Sequence, residues 1–331
     1  MGSLRLEGLA ARIREYPGVT RKRRLGELTA RLTGARDARV KADFGEDCAV
    51  LEVPGLDGQY VLFALDAVLP EILEADPEFG GYASVLVNVL DVAAKGGSAL
   101  AVVDFLASTG SSFEAAVARG MAEASRQIGV PVVGGHLHPD SAAPALAAAV
   151  LGTVAKAECV FSHTATPGDA IYFAVDLDGE RSPRYPHAWS TLRRKGAPEV
   201  ARRLGSVRDA SRAGLVTACK DASNPGLVGT AGMLLEASGA GGAVDIDRIP
   251  RPGDVPVEEW VLLYQGCGFV LTGRPGDERA LADVFGGCGL TCARVGSVER
   301  ERRVMIERGG DRAQVFDLAR GGVTGIPPHP A

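Results

Sequence analysis

The sequence predicts a mixed two-domain protein, with an α/β domain followed by an α+β domain. The chain has 331 residues, more than one domain usually holds. From Lys41 onward, short strand-like runs alternate with helical periodicity, which is typical of sheets covered by helices. A second group of strand-like runs begins near Cys159. We therefore expect a basic helical extension at 1–37, a first domain at 38–157 and a second at 158–331.

The first 154 residues contain the clearest alternation of helices and strands. The basic extension is predicted as two helical parts, divided at Pro17-Gly18, and the second part runs to Gly34. One helix is predicted at 112–128, with Gly129 as its C-terminal signal. The predicted strands span 48–53, 60–65, 100–106, 130–133 and 145–154.

The second half repeats this strand-rich plan. Its predicted strands span 170–175, 243–249, 268–272 and 292–299. Its predicted helices span 198–218, with breaks at Gly205 and Gly214, and then 227–238 and 277–285. We expect residues 181–187 to form an exposed loop and the Gly- and Pro-rich tail from Gly321 to be loose.

Composition excludes several classes of protein. The net charge of −5 argues against a nucleic-acid-binding surface, which would be basic. The basic run at 21–24 is interpreted as a solvated helix face. The six cysteines form no CxxC pair and are interpreted as small core residues. With no signal peptide and no apolar stretch near 20 residues, we expect a cytoplasmic protein without a membrane partner.

The segment Tyr82–Gly97 is predicted to be a buried helix, because it is apolar on nearly every side. Its exceptions are Ser84, Asn88, Asp91 and Lys95, which fall within a stripe roughly 60° wide at about 100° per residue. Such a stripe is costly to bury without partners. Either the polar residues of the stripe pair with one another, with Asp91 bound to Lys95, or the stripe is part of a functional site.

Carboxylates lie at several predicted strand and helix ends. Glu46 and Asp47 precede a strand, Asp66 ends the next one, Asp91 lies on the polar stripe, and Asp221 precedes a helix. Carboxylate oxygens are the ligands that Mg²⁺ takes, together with phosphates and water. Each residue alone could be a turn former or a capping residue. Their combination favours a magnesium site.

The segment GGHLHPD at 134–140 is predicted to be a glycine-rich turn after a strand. A zinc site at His136 and His138 would need further ligands at a recognisable spacing. A close approach of Gly134 and Gly135 to a phosphate or another ligand fits better, since glycine has no side chain to obstruct it. The chain has neither a P-loop nor a dinucleotide-binding motif.

The order of these motifs resembles the superfamily of aminoimidazole ribonucleotide (AIR) synthetase, over about residues 38–300. Its relatives include thiamine-monophosphate kinase, selenophosphate synthetase and a hydrogenase maturation factor. The chain looks most like AIR-synthase-related proteins known as methanogenesis marker protein 2 and their bacterial relatives. The matching segments are Gly45–Val50, Asp66, Asp76–Gly96, Gly134-Gly135, Pro167–Asp169 and Lys220–Gly226.

The resemblance implies a PurM-like fold, whose N-terminal sheet domain forms a dimeric barrel and whose C-terminal domain is α+β. It implies ATP and Mg²⁺ as cofactors, a small-molecule substrate and a homodimer. The implied metal ligands are Asp47, Asp66, Asp91, Asp221 and Glu46. The implied catalytic residues are Asp91, Lys95 and His136. The implied nucleotide-binding residues are Gly45, Asn88, Gly134, Gly135, Lys220 and Ser223.

Some positions depart from the relatives. Glu46 replaces the first Asp of the family's GDD segment, and His136 stands where the kinase has an Asp. The chain lacks the reactive N-terminal Cys of selenophosphate synthetase and the terminal Cys of the hydrogenase factor. These departures leave the general implication of the resemblance unchanged. It implies an ATP-dependent enzyme that phosphorylates a carbonyl, amide or carboxylate oxygen of a small molecule. The alternatives are a non-catalytic nucleotide-binding regulator and a small-molecule kinase.

Overall fold

The computed structural model describes residues 2–32, 37–264 and 266–329. It contains a six-stranded sheet and a seven-stranded sheet, each packed against helices, together with a small two-stranded sheet. The predicted combination of α/β and α+β architecture is thereby confirmed. None of the helices in the described ranges combines the length and apolarity that a membrane crossing requires.

The basic extension is helical, as predicted. Its helices are α1 (Gly2–Glu15), α2 (Pro17–Thr20) and α3 (Leu25–Leu32). The predicted end of the last helix, at Thr33 and Gly34, lies outside the described residues. Helix α1 buries Leu6, Leu9 and Ile13 in the apolar core of the seven-stranded sheet. The extension therefore contributes to the core of the second half of the chain.

The six-stranded sheet belongs to the first half. Its strands are β1 (Val40–Ala42), β2 (Ala49–Leu51), β3 (Gln59–Ala67), β4 (Ser98–Ala107), β5 (Val132–His138) and β6 (Ala145–Ala155). They follow the order β1-β2-β3-β6-β4-β5, and β4 and β5 are the parallel pair. Helices α4 (Pro70–Ala75), α5 (Pro77–Ala94) and α6 (Ser111–Ile128) complete this half.

Helix α5 is buried almost throughout, as its composition predicts. It begins at Pro77, and the Asp76 side chain accepts a hydrogen bond of 3.1 Å from the Phe79 backbone nitrogen. A Cβ atom on Gly81 would lie 2.1 Å from the Val117 carbonyl oxygen of α6. Glycine at this position therefore lets α5 and α6 approach closely, which fixes the orientation of the polar stripe.

The seven-stranded sheet belongs to the second half. Its strands are β7 (Ala170–Val175), β10 (Ala218–Asp221), β11 (Gly241–Asp245), β12 (Gly268–Gly273), β13 (Thr291–Glu299), β14 (Arg303–Arg308) and β15 (Asp311–Asp317). Strands β8 (Glu180–Arg181) and β9 (Trp189–Ser190) form the small sheet. The helices are α7 (Ala197–Arg212), α8 (Gly226–Ala237), α9 (Val257–Trp260) and α10 (Glu278–Gly287).

Two local predictions about glycines are wrong. Helix α7 continues through Gly205 and ends at Arg212, while Ala218 opens β10. A glycine inside a helix costs only about 1 kcal/mol, which the burial of α7 offsets. Strand β5 continues through Gly134, Gly135 and His136, so this segment is not a turn. Pairing with β4 keeps those glycines extended.

The prediction of a loose C-terminal tail is also wrong for residues 321–329. The buried Glu236 carboxylate of α8 accepts backbone hydrogen bonds from Val323, Thr324 and Gly325, at 2.9–3.1 Å. It also accepts a bond from the Thr324 hydroxyl. The tail is therefore anchored by one buried carboxylate, which glycine and proline content alone does not predict. Pro330 and Ala331 lie outside the described residues.

Candidate functional site

A cleft of about 600 Å³ collects most of the predicted site residues. Its walls come from the N-terminal extension, from β3 and α5 of the first half, and from β10 and α8 of the second. The polar and glycine residues that line it include Arg21, Lys22, Gly45, Glu46, Asp47, Asp66, Asp91, Lys220, Asp221, Ser223 and Asn224. The predicted motifs, although far apart in the chain, thus meet at one site.

Three aspartates form the centre of this cleft. Asp47 precedes β2, Asp91 lies on α5 and Asp221 ends β10. One carboxylate oxygen from each lies within 4.8 Å of the other two. We call these three residues the aspartate cluster. Asp66, near the end of β3, lines the same cleft but does not belong to this group.

Charge is concentrated in the aspartate cluster. Burial and then the Asp66 carboxylate raise the pKa of Asp91 well above its usual range. Burial and then Asp47 raise the pKa of Asp221 to about 7. Buried carboxylates that repel one another are stabilised by a cation, so the cluster is electrostatically suited to a metal ion.

The donor atoms of the cluster fit Mg²⁺. All are carboxylate oxygens, the hard ligands that Mg²⁺ prefers. One of them, Asp47 Oδ2, is buried and has no hydrogen-bond donor among the described residues. It lies 3.2 Å from Lys95 Nζ, an ion-pair distance without hydrogen-bonding geometry. An unsatisfied buried oxygen of this kind leaves a lone pair for a ligand.

Lys220 connects the two halves beside the cluster. Its ammonium pairs with Asp47 Oδ1 and donates a 3.0 Å hydrogen bond to the Gly45 carbonyl oxygen. Gly45 has a positive φ of 98°, a conformation that glycine adopts without strain. Ser223 follows on the loop that leads into α8. The predicted nucleotide-binding residues Gly45, Lys220 and Ser223 therefore lie on the cleft wall.

Glu46 lies apart from the aspartate cluster. Its buried carboxylate accepts hydrogen bonds from Lys95 Nζ at 2.7 Å and from the Ser162 backbone at 2.9 Å, and lies 2.6 Å from His163 Nδ1. Burial alone would raise the pKa of Glu46, but Lys95 and the His163 hydrogen bond lower it below its usual range. Glu46 is thus engaged by protein partners and lies outside the aspartate cluster, but one of its oxygens lies within 4.8 Å of ring nitrogens of His163 and His329. Its assignment as a metal ligand therefore stays a prediction.

Lys95 is not the partner of Asp91. Its ion pairs with described residues are with Glu46 and Asp47, and it also donates to the Cys219 carbonyl oxygen at 3.1 Å. Burial disfavours its charge, but Asp47 and then Glu46 raise its pKa above the usual value. The alternative in which Asp91 pairs with Lys95 within the stripe is therefore wrong. Lys95 lies beneath the cleft, where its ion pairs hold Glu46 and Asp47 in place.

Asn88 is also beneath the cleft, not on its wall. Its side-chain nitrogen donates to the Ser84 carbonyl oxygen at 2.8 Å, and its oxygen accepts from the Asp66 backbone nitrogen at 3.2 Å. Since both groups of the amide are used inside the protein, the predicted direct contact with the nucleotide is not supported here. Asn88 instead connects α5 to the end of β3 and positions Asp66.

Gly134, Gly135 and His136 do not line the cleft. His136 lies opposite Phe105 in the β4–β5 register, and their rings stack at 6.2 Å between centroids. Phe105 is exposed, on the sheet face that does not carry α5. The candidate catalytic role of His136 therefore finds no support in this cleft.

Family models match most of this chain. The N-terminal domain of AIR synthase related proteins matches residues 45–154, and the C-terminal domain of the same proteins matches residues 166–308. The chain belongs to the AIR synthase related family. The family that the motifs suggested is thereby confirmed, and the motifs at Gly45–Val50 and Lys220–Gly226 fall within the matched ranges.

Two relatives align with this chain over most of its length and most of their own. Uncharacterized protein MJ0640 of Methanocaldococcus jannaschii is 34% identical over 96% of this chain and 98% of its own length. Uncharacterized protein sll0787 of a Synechocystis strain is 32% identical over 85% of this chain and 86% of its own. Phosphoribosylformylglycinamidine synthase subunit PurL of Methanopyrus kandleri is 26% identical over 59% of this chain, which corresponds to only 29% of that protein.

Solved structures show the same fold. PurL of Thermotoga maritima in complex with ATP aligns with a TM-score of 0.71 at 18% identity, covering 88% of this chain and 48% of that one. AaThiL in complex with AMPPCP and TMP aligns with a TM-score of 0.61 at 19% identity, covering 82% and 92%. This member of the AIR synthase related family thus has the two-domain PurM-like fold and spans about half of the PurL chain.

The sequence prediction missed the contribution of the termini to the site. Arg21 and Lys22, interpreted as a solvated helix face, line the cleft. Lys22 is close enough to lower the pKa of the buried Asp221 against the larger effect of burial. Thr324 of the anchored tail lines the cleft as well. The available signals were a basic run beside a helix break and Glu236 on an otherwise apolar helix.

Proposed function

We propose that this protein is a Mg²⁺-dependent enzyme that binds ATP in the cleft and transfers its γ-phosphoryl group to an oxygen of a small molecule. The observation that carries the proposal is the aspartate cluster, in which three carboxylates from both halves of the chain face one cleft. Bound ATP in the structure of Thermotoga maritima PurL, which has the same fold, supports the choice of nucleotide.

The residues of the cleft would have different roles in such a reaction. Asp47, Asp91 and Asp221 would hold Mg²⁺, with Asp66 beside them. The metal would neutralise phosphate charge when bound. Lys22 and Lys220 bring ammonium groups to the same cleft. Phosphoryl transfer depends mainly on positioning and on charge neutralisation, and these residues supply both.

The acceptor is an oxygen of a carbonyl, amide or carboxylate group. In the transfer, this oxygen forms a bond with the γ-phosphorus while the bond to the oxygen that bridges the β- and γ-phosphorus breaks. ADP leaves with the electron pair of that bond. The phosphorylated oxygen is then a leaving group for a cyclisation, a dehydration or a ligation, while a simple kinase would stop at the phosphorylated product.

A thermal-shift titration with ATP, with and without Mg²⁺, tests nucleotide binding. A ligand that binds only the folded protein raises its unfolding temperature by mass action. We expect a shift that requires Mg²⁺, and its absence at millimolar ATP would refute the proposal. ADP formation with a panel of amides and carboxylic acids then separates an enzyme from a non-catalytic regulator, because the regulator would bind ATP without turnover.

We further propose that the enzyme is a cytoplasmic homodimer. The face of the first sheet that does not carry α5 exposes Phe63, Val103, Phe105 and Leu151, which we call the open face. Exposed apolar patches of this kind commonly mark protein interfaces. All six cysteines are free thiols, as is usual in a reducing compartment.

A further inference from the structure

A second cavity, of about 690 Å³, adjoins the cleft. Helix α1, Glu71 of α4 and the loop between β8 and β9 contribute to its walls. Arg21 and Asn224 line both cavities. Since Asn224 lies only three positions after Asp221, a molecule in the second cavity can extend toward the aspartate cluster through this shared wall.

Aromatic rings form one side of the second cavity. The His187 ring lies 5.7 Å from the Tyr16 ring and 5.9 Å from the Tyr185 ring, both at steep angles. The Tyr185 hydroxyl lies 2.9 Å from the hydroxyl of Tyr264, which lines the main cleft. Rings arranged in this way offer faces and edges to a planar group.

Two arginines give the second cavity unpaired positive charge. Arg12 lines this cavity but not the main cleft, and neither Arg12 nor Arg21 forms an ion pair with any described residue. The Arg21 Nε atom donates to the Pro17 carbonyl oxygen at 3.0 Å, and no described residue accepts a hydrogen bond from its two terminal nitrogens. Glu15 and Glu71 also line the cavity and disfavour a polyanion.

We propose that the second cavity binds the acceptor substrate, a planar small molecule with one anionic oxygen group. The planar part packs on Tyr16, Tyr185 and His187, and the anionic group, a carboxylate or a phosphate, pairs with Arg12. The acceptor oxygen then points to the shared wall at Arg21. This assignment rests on the proposed phosphoryl transfer, because the acceptor must reach the γ-phosphoryl group in the adjoining cleft.

Calorimetric titration with simple probes tests the assignment. Benzoate and phenyl phosphate supply a ring with a carboxylate or a phosphate, and benzyl alcohol is the uncharged control. The titrations use the full-length protein saturated with Mg²⁺ and ADP, so that the nucleotide position is filled. We expect benzoate or phenyl phosphate to bind and benzyl alcohol to bind far more weakly. The better of the two anions identifies the group.

Variants of Arg12 test whether the anionic probe binds in the second cavity. Arg12→Ala should weaken the anionic probe by about tenfold, since it removes a charge-assisted hydrogen bond. Arg12→Lys should recover part of the affinity because it restores the charge. Arg5→Ala is the matched control, since Arg5 is exposed on the same helix and does not line the cavity. It should leave probe binding unchanged.

Two outcomes would overturn the assignment. Either neither anion binds at millimolar concentration, or Arg12→Ala binds the anion as tightly as the unsubstituted protein. A parallel titration of each variant with Mg²⁺ and ATP keeps this result separate from the proposed function. Arg12→Ala should bind ATP normally, and failure of ATP to bind even the unsubstituted protein would count against the proposed function itself.

Discussion

The Asp91 side chain is buried in an environment that disfavours a carboxylate. It lies on a helix that is otherwise apolar, is only 7% exposed, and faces other carboxylates. Burial and this repulsion raise its pKa, so the metal-free protein holds it in an unfavourable environment. Its nearest helical cation, Lys95, is paired elsewhere. Asp91 therefore has the character of a ligand-binding residue more than that of a structural ion pair.

Asp91→Asn should weaken Mg²⁺-dependent ATP binding by about tenfold or more, the size of effect that perturbing a metal site commonly has. The unfolding midpoint of the metal-free protein should hold or rise, because a neutral amide replaces a buried carboxyl group whose ionisation is opposed by burial and by the neighbouring carboxylates. Calorimetry and urea denaturation measure the two quantities. The control is Asp57→Asn, at an exposed position outside the cleft. A large loss of stability with intact ATP binding would contradict the metal-site interpretation.

Lys95→Met should destabilise the protein strongly, because it leaves the buried Glu46 carboxylate without its ammonium partner. Breaking a buried ion pair on one side typically costs about 3–5 kcal/mol. Both side chains of this pair are 0% exposed. Lys156→Met is the matched control, since Lys156 also pairs with a glutamate, Glu52, but is partly exposed. Denaturant titration should show a far smaller loss for Lys156→Met, and equal losses would disprove the role of burial.

At the scale of elements, the two ends of the chain complete the cleft. The turn after α2 brings Arg21 and Lys22 to its wall, and the tail brings Thr324. The two ends also touch each other, since the Gly26 backbone nitrogen donates to the Thr324 carbonyl oxygen at 2.9 Å. Glu236 holds this arrangement from below. The anchored tail is therefore a structural part of the site.

Glu236→Ala should release the tail. The change leaves three backbone N–H groups and the Thr324 hydroxyl without their acceptor, at a cost of about 1–3 kcal/mol for each group that stays buried. We expect a lower denaturation midpoint and faster proteolysis after residue 320. Glu236→Gln keeps one acceptor oxygen and should show an intermediate effect. Unchanged proteolysis of Glu236→Ala would show that other contacts hold the tail.

At the scale of the whole molecule, the open face of the first sheet is the proposed dimer interface. Light scattering should report about twice the chain mass of 34.3 kDa at micromolar concentration. Leu151→Glu places a charge on the open face, where Leu151 is 43% exposed, and should give monomers. Leu28→Glu is the control, at a 55% exposed position on α3. A monomeric unsubstituted protein, or a dimeric Leu151→Glu variant, would refute the proposed interface.

Local patterns in the sequence were sufficient for most elements and for the outline of the site. Helix α5, strand β7 and helix α8 follow from the composition and periodicity of their segments, although α5 begins at Pro77, five residues before the predicted start at Tyr82. The four aspartates were recognisable because a charged residue at a strand end or in a buried helix conflicts with its surroundings. Such conflicts are local and can be detected without knowing what lies opposite in the fold.

The partners of each side chain were decided by the tertiary structure. Lys95 is one helical turn from Asp91, yet it pairs with Glu46, which is 49 residues away. Glu236 anchors a tail whose composition predicts no order. His136 and Asp66 face opposite sides of one sheet because strand register fixes the face of every residue. Periodicity determines which face of an element is buried, but only packing of distant segments determines what that face meets.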